Sequence, residues 1–132
     1  MSYATILAGL TERFATISGL TVLDYEPTSI QTTPLLYSLL ESATYTTSGQ
    51  IKARHYRVLH RLLLPWQDVE EAEADVAPWV NAIPDAVYDD RSLGGRLQRG
   101  TTEIVEMDAG WATVGNITYR ALDFYSDTLE KV

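Results

Sequence analysis

Trp111-Ala112-Thr113-Val114-Gly115-Asn116-Ile117-Thr118-Tyr119-Arg120-Ala121-Leu122-Asp123-Phe124 is the stretch on which the fold reading turns. Gly115-Asn116 between two β-prone runs is a two-residue hairpin signal, because both residues tolerate the left-handed backbone such a turn requires. It predicts a short strand from Trp111 to Val114 and a long final strand from Ile117 to Leu129. Within that strand Ile117, Tyr119 and Ala121 share one parity while Leu122 and Phe124 share the other, which predicts a bulge near Ala121. Upstream, Glu103 to Met107 reads as a strand and Asp108-Ala109-Gly110 as a turn, so the C-terminal third is antiparallel β.

Towards the N-terminus, Ile6, Leu7, Leu10, Phe14 and Ile17 recur at three- and four-residue intervals and predict a helix over 3–17. Ser2 can cap its start and Ser18-Gly19 can end it. A short strand from Leu20 to Tyr25 follows, then loop up to Pro34. Leu35 to Leu40 is an apolar run of strand length, covered on both faces. Glu41 to Gln50 is rich in Ser and Thr with no periodic apolar set, and reads as a strand end followed by a long hairpin loop.

From Ile51 to Leu64, Tyr56, Val58, Leu62 and Leu64 share one parity, whereas Leu59 and Leu63 fall on the other. A long strand fits, either bulged or covered on both faces. Pro65-Trp66 ends it. Asp68 with Glu71 resembles a capping box, and Val69, Ala72, Val76, Val80 and Ile83 form an inward helical stripe that Pro78 is expected to kink or divide. A short helical turn from Pro84 to Asp90 and a turn at Leu93-Gly94-Gly95 complete the order. The whole predicts a single α+β domain over 1–132, mostly an antiparallel β-sheet with an N-terminal helix and a central helix packed on one face.

At 132 residues, 45% of them hydrophobic, the chain is long enough for one domain with a real core. The lack of cysteine excludes disulfides, thiolate catalysis and zinc–thiolate sites. The first ten residues carry no basic residue, and Glu12 and Arg13 follow; neither a leader nor a membrane span is expected, and synthesis in the cytoplasm is. A net charge of −8 argues against a dominant nucleic-acid-binding surface. The charges are nonetheless polarised. Lys52 to Arg61 holds four lysines or arginines and two histidines with no carboxylate, while Leu62 to Asp90 holds eight carboxylates and no lysine or arginine. Two solvated faces or a charged assembly surface both fit.

No catalytic, cofactor or metal site emerges. His55 and His60 point to opposite faces of a strand and read as surface or interface histidines. Asp89-Asp90 reads as a solvated turn, and Glu103, Glu106 and Asp108 as a polar strand face. Gly94-Gly95-Arg96 lacks the residues of a phosphate loop.

The order of these features resembles the tail terminator proteins of long-tailed, lambda-type bacteriophages. The resemblance covers nearly the whole chain. It lies in the opening helix followed by Gly19-Leu20-Thr21-Val22, Pro34 before the apolar strand, and the long strand into Leu64-Pro65 with the acidic helix after it. It continues in Ser92-Leu93-Gly94-Gly95-Arg96-Leu97 and the Val114-Gly115-Asn116-Ile117-Thr118-Tyr119 hairpin. Pro78 departs from a helix the family usually keeps continuous.

The resemblance implies a virion structural protein with no enzymatic activity and no cofactor. Such proteins form a homo-oligomeric ring, a hexamer in the family, on the head-proximal end of the tail tube. The ring stops tube polymerisation and docks to the head–tail connector protein, with DNA only as cargo through its lumen. It makes Thr44, Tyr45, Thr46, Thr47 and Ser48 the candidates for contact with the tail tube protein. It also makes Lys52, Arg54, Arg57 and Arg61 on one subunit, with Glu70, Glu71 and Glu73 on the next, candidates for the subunit interface. A different neck or head-closure protein, or a small ligand-binding α+β domain, stays open as an alternative.

Overall fold

The computed structural model describes residues 2–49, 51–65, 69–97 and 100–131; the side chains of Ser48, Ile51, Val69, Glu70, Glu71 and Ala72 lie outside the described set, as does the Asp68–Glu71 capping pair. The stripe of Ile6, Leu10 and Phe14 becomes the buried side of α1 (Tyr3–Ala15), with all three fully buried. Ser2 caps it: its Oγ accepts from the Thr5 backbone N–H at 3.3 Å. The helix stops two residues earlier than the spacing predicts, with Thr16 as C-cap.

Five strands follow: β1 (Thr21–Leu23), β2 (Leu35–Ser48), β3 (Ile51–Leu64), then, after α2 (Val69–Tyr88), β4 (Gly100–Val114) and β5 (Ile117–Lys131). They form one mixed sheet in the order β1-β2-β3-β5-β4; β1 runs parallel to β2 and every other pairing is antiparallel. The fold is α+β, as the pattern predicts. Gly115 and Asn116 turn the β4–β5 hairpin with φ of 57° and 67°.

Burial divides the sheet into two faces. On one, Leu36, Val58, Leu62, Leu122 and Phe124 pack with Ile6, Leu10 and Phe14 of α1 and with Val76, Ile83 and Val87 of α2 in the main core. On the other, Leu35, Tyr37, Leu63, Tyr119 and Ala121 form a second cluster, joined by Leu23, Ile30 and Val114. Each fully buried Leu, Ile or Phe contributes about 1.5–3 kcal/mol relative to leaving it in water.

Four expectations are corrected. Residues 42–48 are not a hairpin loop: β2 continues to Ser48 and pairs with β3 as far as Ser48 opposite Ile51. Burial does not hold these residues in line; the backbone ladder does. Asp108-Ala109-Gly110 is not a turn but lies within the continuous β4, opposite Asp123, Leu122 and Ala121.

The expected bulge near Ala121 is also absent, since β5 pairs with β3 without a shift from Lys131 to Arg120. The parity change in β5 reflects burial on both faces, with Ala121 in one cluster and Leu122 in the other. The same reason explains Leu62 and Leu63 in β3. The register shifts fall instead on β2 between Leu40 and Ser42 and on β4 between Ile104 and Glu106, the strands with exposed edges. Finally, the helix is not divided at Pro78, and no separate turn starts at Pro84: α2 is one helix containing both prolines. Each proline costs about 3 kcal/mol in a helix interior. The stripe Val76, Ile83 and Val87 runs past both of them and its burial offsets that cost.

Candidate functional site

His55 and His60 do lie on opposite faces. His55 is exposed, 3.8 Å from Asp127. His60, expected at a surface or interface, is instead fully buried beneath α1, with its ring edge-on to Phe14 at 4.9 Å. The fold brings it between two serines: Nδ1 lies 2.6 Å from Ser38 Oγ and Nε2 lies 2.8 Å from Ser126 Oγ. Burial pushes its pKa down to about 3, so the ring is neutral, with one nitrogen donating and the other accepting.

This trio spans β2, β3 and β5. It includes no carboxylate to orient the ring, and Ser38 and Ser126 are themselves buried. A hydroxyl that substrate cannot reach is not a nucleophile, and the trio acts as a hydrogen-bonded tie across three strands. The parity of His60 with Val58 and Leu62 was the available sequence signal for its burial.

A recess of about 160 Å³ lies between the end of α2 and β4, lined by Pro84, Asp85, Tyr88, Glu103 and Ile104. It is smaller than the usual pocket for a small-molecule ligand. Among the described residues, no three His, Asp or Glu side chains are placed to hold a metal ion, and no helix is long and apolar enough to cross a membrane.

The basic run of β3 does not form one stripe. Strand alternation sends Arg57 and Arg61 to the face away from the helices and Lys52 and Arg54 to the helix-facing side. Arg61 Nε donates to Asp123 Oδ1 at 2.7 Å and its Nη2 to Oδ2 at 3.0 Å, a two-pronged pair on neighbouring strands. That pair, helped by Tyr37, raises the Arg61 pKa. Arg57 lies over the Tyr125 ring at 4.5 Å and reaches across β5, donating to Glu106 Oε2 at 2.6 Å and to Glu41 Oε2 at 3.4 Å. The bond to Glu106 is the main cause of its raised pKa. Glu41 is the residue skipped by the β2 register shift, so the bulge and the ion pair occur together.

Arg54 stands 4.0 Å from the largely buried Glu130. In the acidic helix, Glu73 pairs with Arg120 of the same chain at 3.0 Å, and Arg120 also lies over Trp111 at 4.9 Å. Arg57, Arg61 and Glu73 are thus engaged within the chain rather than left to meet a neighbour. The side chains of Glu70 and Glu71 lie outside the described residues.

The distal part of the β2–β3 hairpin remains. Thr44, Tyr45, Thr46 and Thr47 are exposed, as are Ser42, Lys52 and His55; Tyr45 retains 70% of its accessible surface. The Ser48 side chain lies outside the described residues. Both faces of this segment therefore meet solvent. β1 pairs only with Leu35–Tyr37, so among the described residues Ser38–Ser48 have a strand neighbour on one side alone. Ser42-Ala43-Thr44-Tyr45-Thr46-Thr47-Ser48 carries no charge and no proline, the devices by which exposed edges are usually protected. The sequence marks these residues as a surface, but without apolar alternation it predicts a loop where the structure has a strand pair.

The chain matches no protein-family model and none of the curated proteins with which it was compared.

Proposed function

We propose that the chain is a structural subunit of a phage tail, the terminator that forms a ring on the head-proximal end of the tail tube, stops its growth and docks to the head connector. The observation that carries this reading is the distal β2–β3 hairpin, an ordered strand pair exposed on both faces and one edge. Its side chains contribute little to the core, so contact with other proteins accounts for a segment that the fold itself does not require. The element order, one helix, three strands, a second helix and a two-stranded C-terminal hairpin, agrees with the resemblance in the sequence. In this reading Thr44 to Thr47 meet the tube protein through side chains on the hairpin's faces.

Electron microscopy of tails tests it. Cutting the hairpin back, by joining Ala43 to Tyr56 through a Gly-Asn turn, retains the buried ends of both strands. With this variant in place of the native chain, tails should be irregular and overlong, with few joined to heads. Tails of normal length that fail only to join would overturn the terminator reading in favour of a connector-side protein.

A further inference from the structure

We propose that the free edge of β2, from Ser42 to Ser48, takes the free edge of β4 from a second copy of this chain, so that neighbouring subunits share a continuous antiparallel sheet. The inference rests on the ring-forming reading above and names the seam by which the ring closes.

Three observations carry it. Among the described residues, two strands have a side with no strand neighbour: β2 beyond Tyr37, where β1 ends, and the outermost strand β4 beyond Thr102, whose backbone N–H is taken by the Arg91 carbonyl at 3.2 Å. Unpaired backbone groups on an uncharged, Thr-rich strand are a template for another strand.

The two edges also run in opposite directions, because β2, β3, β5 and β4 alternate across the sheet. A copy rotated about an axis roughly along the strands keeps its own direction, so its β2 lies antiparallel to the first copy's β4. Repetition of that head-to-tail contact closes a ring.

The edges differ in charge as well. The β2 edge from Ser42 to Ser48 carries no charged residue. β4 carries Glu103, Glu106 and Asp108 with no base, or −3. The bases of the neighbouring β3 are engaged within the chain, Arg57 with Glu41 and Glu106, Arg61 with Asp123 and Arg54 near Glu130, so the β2 edge is close to neutral where the β4 edge is acidic. Pairing β4 with β4 would oppose three carboxylates to three; pairing β4 with β2 does not.

The test is a charge exchange read by light scattering across a concentration series. Thr44→Glu with Thr46→Glu places carboxylates on the β2 edge against those of β4, and should weaken self-association by about tenfold or more. Adding Glu103→Lys and Asp108→Lys, both at exposed positions, should restore it. Circular dichroism checks that each variant stays folded. The proposal is overturned by a native chain that is monomeric at every concentration, or by a glutamate pair that leaves the assembly unchanged. It is also overturned by loss of assembly that the lysines fail to restore, the result expected if β2 pairs with β2. Rings that form as described but leave tube growth unaffected would sink the terminator reading while this seam survives.

Discussion

The two ends of the β2–β3 pair share strands, ladder and hairpin, yet they live in different environments. At one end Leu35, Leu36, Tyr37, Leu62, Leu63 and Leu64 are buried on both faces, against the helices on one side and the second cluster on the other. At the other end Thr44, Tyr45, Thr46 and Thr47 are exposed and, among the described residues, no strand covers their outer edge. The contrast separates what folds the chain from what, on the proposed function, it offers to partners. The buried end supplies the apolar area that stabilises the domain; the distal end is carried by hydrogen bonds to a neighbouring strand that is itself anchored in the core.

Substitutions at the two ends should therefore part widely. Leu62 is fully buried in the main core, so Leu62→Ala should cost about 2–5 kcal/mol in denaturant melts. Tyr45→Ala should stay within about 0.5 kcal/mol. Comparable losses at both positions would mean that the distal hairpin contributes to the fold after all.

A smaller effect comes from the buried tie between the ends. His60 is neutral in the fold, with a pKa of about 3 against an ordinary 6.5. Between those values the unfolded chain binds a proton that the folded one excludes. Its contribution is therefore complete above about pH 6.5 and declines as pH falls, by about 1.4 kcal/mol per unit. Urea melts of the native chain and His60→Leu at pH 7 and pH 5 isolate the term: the native chain should lose more stability on acidification. Equal losses in both would contradict a buried neutral imidazole.

The same contrast marks what the sequence made legible. Helix α1, the Gly115-Asn116 turn and the apolar strand cores follow from local spacing and turn chemistry, and all were read correctly in kind. Residues 42–48 look like a loop in the sequence because apolar periodicity detects burial, and a strand exposed on both faces has none. Strand β4 was divided at Asp108-Ala109-Gly110 for a related reason: its place there depends on pairing with β5, which no local residue announces. The sequence suggests a bulge near Ala121, and leaves one open in Ile51–Leu64, because a parity change looks the same whether it comes from an extra residue or from a second buried face. For the candidate site, the residue types were visible and the partners were not. Arg57 and Arg61 looked available in the sequence, and only the sheet order shows that Glu106 and Asp123 reach them.

Amide hydrogen exchange on the isolated monomer and on the chain assembled with the tail tube protein tests the central claim most directly, that the distal hairpin is a partner surface on an independently stable domain. Amides from Val58 to Leu64 should be protected in both states. Those from Ser42 to Thr47 that point away from β3 should exchange quickly in the monomer and become protected on assembly. Fast exchange at these amides in the assembled particle would contradict the account.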